Sequence, residues 1–161
     1  MKKLKKFFEI MVETLALASF IVLALFIGSK HEPWADEAQA WLLARDTTIP
    51  ELLQNYMGYE GSPALWHLIL KAFISLGWQY QYYYIIPIIF SAIGVAILEY
   101  KTNLPLYIKI ILPFTYYIFY QYSIVARSYC LIFPTLMYIA VLYKKKLEKP
   151  FLFGLRSICI T

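Results

Sequence analysis

Pro63 to Gly77 reads PALWHLILKAFISLG, a helical pattern with Lys71 at its middle, and whether it crosses a membrane or lies along one decides the number of spans. At 1.5 Å per residue it reaches about 23 Å, short of a hydrocarbon layer about 30 Å thick. The runs on either side are longer. Upstream, Ile10 to Gly28 follows four lysines within Met1 to Lys6. Downstream, Tyr80 to Leu98 ends in Glu99-Tyr100-Lys101, Leu104 to Tyr120 follows, and Tyr122 to Tyr143 ends in Lys144-Lys145-Lys146. Basic residues gather at the cytoplasmic ends of spans, so the amino terminus is expected inside. If 63–77 spanned, the cluster Lys144 to Lys149 would lie outside. If it lies on the outer surface with Lys71 snorkelling, Lys101 and that cluster both fall inside. Charge parity therefore favours four spans, near 10–28, 80–98, 104–120 and 122–143, with 29–78 as an outer loop carrying interfacial helices.

Composition agrees with an all-α polytopic transmembrane bundle in the cell membrane. Hydrophobic residues make up 61% of the 161 and charged residues 16%, and the mean hydropathy is +0.58, which excludes a soluble enzyme. The 15 tyrosines suit rings held at headgroup level with wet hydroxyls. A net charge of +5 does not point to nucleic acid, because the basic residues flank apolar runs instead of forming a face. Cys130 and Cys159 sit in apolar surroundings without CxxC spacing and read as small hydrophobes. A cleavable signal peptide competes for the first run through Ala16-Leu17-Ala18, but the apolar residues continue to Ile27, so the run reads as an anchor. Glu13 within it is costly against lipid and packs on protein or reaches the interface. Pro87, Pro113 and Pro134 are expected to kink the later spans. After Pro150 another apolar passage, FLFGLRSICIT, begins and stops too soon to cross, so the chain is expected to be truncated.

The outer loop is where chemistry can reside. His31 to Pro63 holds six of the ten acids, Glu32, Asp36, Glu37, Asp46, Glu51 and Glu60, and a single Arg, Arg45. Asp36-Glu37 opens a helix continuing through Ala38 to Arg45, and a second short helix runs from Pro50 to Met57. Locally, Asp36 serves as N-cap with Gln39 three residues on, and Glu37 complements the helix dipole. Functionally, two carboxylates on a loop pressed against a bilayer can hold a divalent cation or take a proton from an acceptor hydroxyl. Glu60 and His67 flank the Gly61-Ser62-Pro63 turn, Glu60 being the stronger candidate. His31 and His67 are too scattered for a metal site by spacing, so no zinc is inferred. Arg127, just inside the outer end of the last span, needs an anionic partner, a phosphate or a loop acid such as Glu60.

Three motifs in order carry a resemblance: Trp34-Ala35-Asp36-Glu37-Ala38-Gln39-Ala40-Trp41, Tyr59-Glu60-Gly61-Ser62-Pro63-Ala64-Leu65-Trp66, and Tyr122-Ser123-Ile124-Val125-Ala126-Arg127-Ser128-Tyr129. With the basic start and first span, they resemble the amino-terminal part of GT-C class membrane glycosyltransferases, the protein mannosyltransferase and aminoarabinose transferase-like group. The resemblance implies transfer of a sugar from a polyprenyl-phosphate donor to an acceptor on the outer face. It gives Asp36 the role of assisting the attacking acceptor, with Glu37 as its neighbour, and Glu60, Arg127 and Tyr129 the binding of substrate, with Arg127 on the phosphate. Members often carry a second acid before the Arg, whereas here Gln121, Ser123 and Val125 are not ionisable. The rival is a non-catalytic polytopic protein, a transporter component or an assembly partner whose acidic loop binds a protein or a cation.

Overall fold

The computed structural model describes residues 2–56 and 64–148. Among them the chain is helical and contains no strand. The longest element, α1 (Lys2–Gly28), is followed by α2 (Ala35–Asp46) and by α3 (Ile49–Glu51), which runs on as a π-helical turn at Leu52–Tyr56. Then come α4 (Leu65–Ser75), α5 (Ile85–Lys101), α6 (Leu106–Ile111) and α7 (Ile132–Glu148). Two stretches, Lys3–Gly28 and Tyr80–Lys101, are long and apolar enough to cross a membrane. On α1, Leu15, Val22 and Phe26 are exposed while Phe20 and Ala24 are fully buried. One face of α1 thus packs on protein, and the other leaves large apolar side chains exposed.

Helices α1 and α5 pack antiparallel. The Thr14 hydroxyl bonds that of Tyr100 near one end, and at the other a side chain added to Gly28 would meet the Tyr84 ring at 3.0 Å. Helix α7 crosses α5 so closely at Gly94 that a Cβ there would lie 2.5 Å from the Phe133 ring. Phe20, Val95, Leu98, Ile118 and Phe133 fill the space between these elements. At one end, α2 and α4 pack together through Ala40, Trp41, Ala44, Trp66 and Leu70, seated on Tyr83 and Ile86 of the α5 start and on Ala126 and Cys130.

Several helices differ from the expected ones. The segment expected to span at 104–120 is broken into α6, a 3-10 turn at Leu112–Phe114 and a π-helical turn at Tyr117–Gln121. Pro113 lacks the N–H that an α-helix needs at that position, and Thr115 then turns extended, with φ −68° and ψ 151°. The segment at 122–143 becomes helical as α7 only from Ile132, after a 3-10 turn at Ser128–Leu131. Pro87 and Pro134 do not fall in helix interiors. Each is the third residue of its helix, where the N–H has no intrahelical partner to lose.

Lys71 does not snorkel outward. Its ammonium donates to the carbonyls of Ala44, at 2.9 Å, and Thr47, closing the carboxyl end of α2 where the dipole is negative. Thr48 caps α3 in a reciprocal box with Glu51, and the Thr48 N–H and hydroxyl, both donating to the exposed Glu51 carboxylate, hold it below its ordinary range. Glu13 packs on protein, paired with Lys109.

Candidate functional site

The residue that caps α2 is Trp34, not Asp36. Trp34 is extended, with φ −71° and ψ 157°, and its N–H donates to the Glu37 carboxylate at 2.7 Å. The helix therefore begins two residues earlier than an Asp36 cap implied, and Asp36 and Glu37 fall at its second and third positions. Adjacent residues on a helix diverge by about 100°. Glu37 consequently turns into the core, 1% exposed, while Asp36 points to the side.

Glu37 is a junction of four donors. Its Oε2 accepts from Trp34 N–H and from the His31 ring, at 3.0 Å, and its Oε1 from the Tyr83 hydroxyl, at 3.2 Å, and Ala126 N–H, at 2.5 Å. A carboxylate enclosed this completely is stabilised by converging donors and by the positive end of α2. His31 is itself held edge-on by the rings of Trp34 and Tyr120. The chain leaving α1, the start of α2, the entrance to α5 and the corner before α7 are thus tied to one side chain.

Fixing Ala126 fixes its neighbour. Arg127 Nη1 donates to Asp36 Oδ2, and the guanidinium lies 5.3 Å from the centre of the Tyr129 ring, within reach of a cation–π contact. This pair is partly open, its side chains 35% and 40% exposed. Asp36 Oδ1 is nevertheless enclosed and has no hydrogen-bond partner among the described residues. Tyr129 also lines a groove of about 450 Å³, with Leu65, Trp66, Ser128, Ile132 and Leu136 among others; Asp36 and Arg127 are not in its lining. Its walls are almost wholly apolar.

The structure thus brings Asp36, Glu37, Arg127 and Tyr129 together, while Glu60 lies outside the described residues. His67 is buried on α4. The Arg45–Asp46 pair, bonded at 2.6 and 2.8 Å at the other end of α2, is exposed. The guanidinium holds Asp46 below its usual range, with no enclosure around it to make a site. Among the described residues no three His, Cys, Asp or Glu side chains converge to hold a metal ion. Two participants were not legible: Tyr83, lost in the run Tyr80-Gln81-Tyr82-Tyr83-Tyr84, and the backbone N–H of Ala126, which has no sequence signal.

Chemically, the arrangement offers a carboxylate with one oxygen free of donors and a partly exposed guanidinium, which meets the Tyr129 ring that also lines an apolar groove. Such a pair can exchange its internal bond for an anion on the Arg and a hydroxyl on the Asp. Comparison of the chain with family models, curated proteins and solved structures gives no match.

Proposed function

We propose that this chain belongs to a membrane glycosyltransferase of the GT-C kind, which moves a sugar from a polyprenyl-phosphate donor to an acceptor on the outer side of a multi-pass bundle. The observation that carries this reading is the partly open Asp36–Arg127 pair, linked through the Tyr129 ring to an apolar groove. The donor's phosphodiester carries one negative charge, as Asp36 does, and presents two unbridged oxygens to the guanidinium fork, so it can take the carboxylate's place on Arg127. Asp36, released, takes the proton of an acceptor hydroxyl as the bond from sugar to phosphate breaks. Tyr129 steadies the guanidinium, and the groove suits an isoprenoid chain. Glu37, fully engaged, holds Ala126 and with it the Arg-bearing corner; its role is positioning. The loop and corner face outward and the amino terminus inward, as the lysines require. A divalent cation, if used, would meet Asp36 first.

The test is binding and transfer by the full chain in lipid nanodiscs. A short-chain polyprenyl phosphate should bind, the matching polyprenol should not, and Arg127→Gln should weaken binding at least tenfold. Asp36→Asn should keep binding and lose transfer from the sugar-loaded lipid. Equal binding of phosphate and alcohol would end the proposal.

A second reading, a non-catalytic membrane protein, is favoured by one feature. The Glu37 junction and the Asp36–Arg127 pair already satisfy one another and lock the loop to the bundle. In that case Asp36→Asn lowers stability and neither lipid is distinguished.

A further inference from the structure

About 24 Å along α5 from Tyr83, at the far end of the bundle from Asp36, lies a second group of charges. Glu13 of α1, Glu99 in the last turn of α5 and Lys109 of α6 are 8%, 0% and 7% exposed. Lys109 Nζ donates to Glu13 Oε1 at 2.7 Å and to the main-chain carbonyl of Glu99 at 2.5 Å. Its charge is therefore directed to Glu13 and to the open end of α5. Both carboxyl oxygens of Glu99 are buried and have no hydrogen-bond partner among the described residues.

We propose that the Glu99 carboxyl is a proton-binding site, taking up and releasing a proton beside the Glu13–Lys109 pair. One ammonium balances one carboxylate, and here it is spent on Glu13. An ionised Glu99 would be a second negative charge among apolar helices, with no donor on either oxygen and with the negative end of the α5 dipole beside it. Glu13 and Lys109 are the charged groups that act on it. The Tyr100 hydroxyl next in sequence is engaged with Thr14. A proton cancels the charge with one O–H bond and needs no further ligands, whereas a metal ion needs several additional oxygens. Nothing is oxidised or reduced; the proton comes from water at that end of the bundle. The site shares no residue with the Asp36–Arg127 pair, so its failure leaves the transferase reading standing, and the reverse holds.

Infrared difference spectra of the full chain in membranes, wild type minus Glu99→Gln, read the proton directly. The expected result is a protonated-carboxyl carbonyl band near neutral pH that Glu99→Gln loses and that fades as pH rises. Carboxylate bands alone, or a protonated band that survives in Glu99→Gln, overturn the proposal. If Glu99→Gln does not insert, the wild-type chain decides alone through dicyclohexylcarbodiimide, which adds to an acid by taking its proton onto nitrogen and the carboxyl oxygen onto carbon. An adduct mapped to Glu99 supports the site, and an adduct on Glu13 only, or on neither, overturns it.

Discussion

Replacing Glu37 by Gln keeps the shape of the side chain but turns one acceptor oxygen into an amide that faces donors already in place. Each Glu37 oxygen takes two donors, one of them a backbone N–H, Trp34 or Ala126, that cannot turn acceptor as the His31 ring or Tyr83 hydroxyl can, so either orientation of the amide strands one backbone N–H. A buried donor left unsatisfied costs about 1–3 kcal/mol, and Glu37→Gln should lose about that much in an equilibrium unfolding titration in mixed micelles. Asp36→Asn removes a partly open pair and should cost about 1 kcal/mol or less. An equal loss from both would mean that Asp36, too, is chiefly a strut. The two acids that read as one motif thus differ because helical geometry sends one inward and the other toward Arg127.

Helix α2 lacks a Gly or Asn at its carboxyl end and depends on a partner element for its cap. Thr47 gives its hydroxyl to the Leu43 carbonyl at 2.6 Å, and Lys71 reaches across from α4 to the Ala44 and Thr47 carbonyls. Lys71→Met keeps the stem and removes the ammonium, and should cost about 1–2 kcal/mol. The loss is expected as faster amide exchange in the last turn of α2, with the first turn, held by Glu37, unchanged. Uniform acceleration along α2 would show that Lys71 holds the α2–α4 pair and not the cap. Where α5 and α7 cross, Gly94→Ala should cost about 1–3 kcal/mol by overpacking against Phe133, and Gly94→Ala with Phe133→Leu should recover most of it.

Across the whole molecule, the Glu13–Lys109 pair joins α1 to α6 in buried surroundings. Lys109→Met leaves Glu13 without its counter-charge and should cost about 3–5 kcal/mol, whereas Lys109→Met with Glu13→Gln should return close to wild type. Additive losses in that cycle would show the two groups to be independent.

The sequence by itself determined that the chain is helical, that 10–28 and 80–98 contain stretches able to cross a membrane, and that an acidic loop separates them. Apolar length and flanking charge are properties of contiguous residues, and the bilayer dimension they are measured against is fixed. Lys109, in the middle of Leu106-Tyr107-Ile108-Lys109-Ile110-Ile111, is a lone charge in an apolar run that calls for a buried partner, but it was not among the candidates drawn from the sequence. The interruption at Pro113 was legible as a kink, because a missing N–H is a property of the residue; the first-turn placement of Pro87 and Pro134 and the capping of α2 by Trp34 were not, because each depends on where a helix starts by a residue or two. Only the tertiary structure decided which acid meets Arg127, which one holds Ala126, and where Lys109 spends its charge. Those contacts join residues 91, 89 and 96 apart in the chain. A charge buried in an apolar bundle takes whichever partner the packing brings within about 3 Å, and no local pattern encodes that distance.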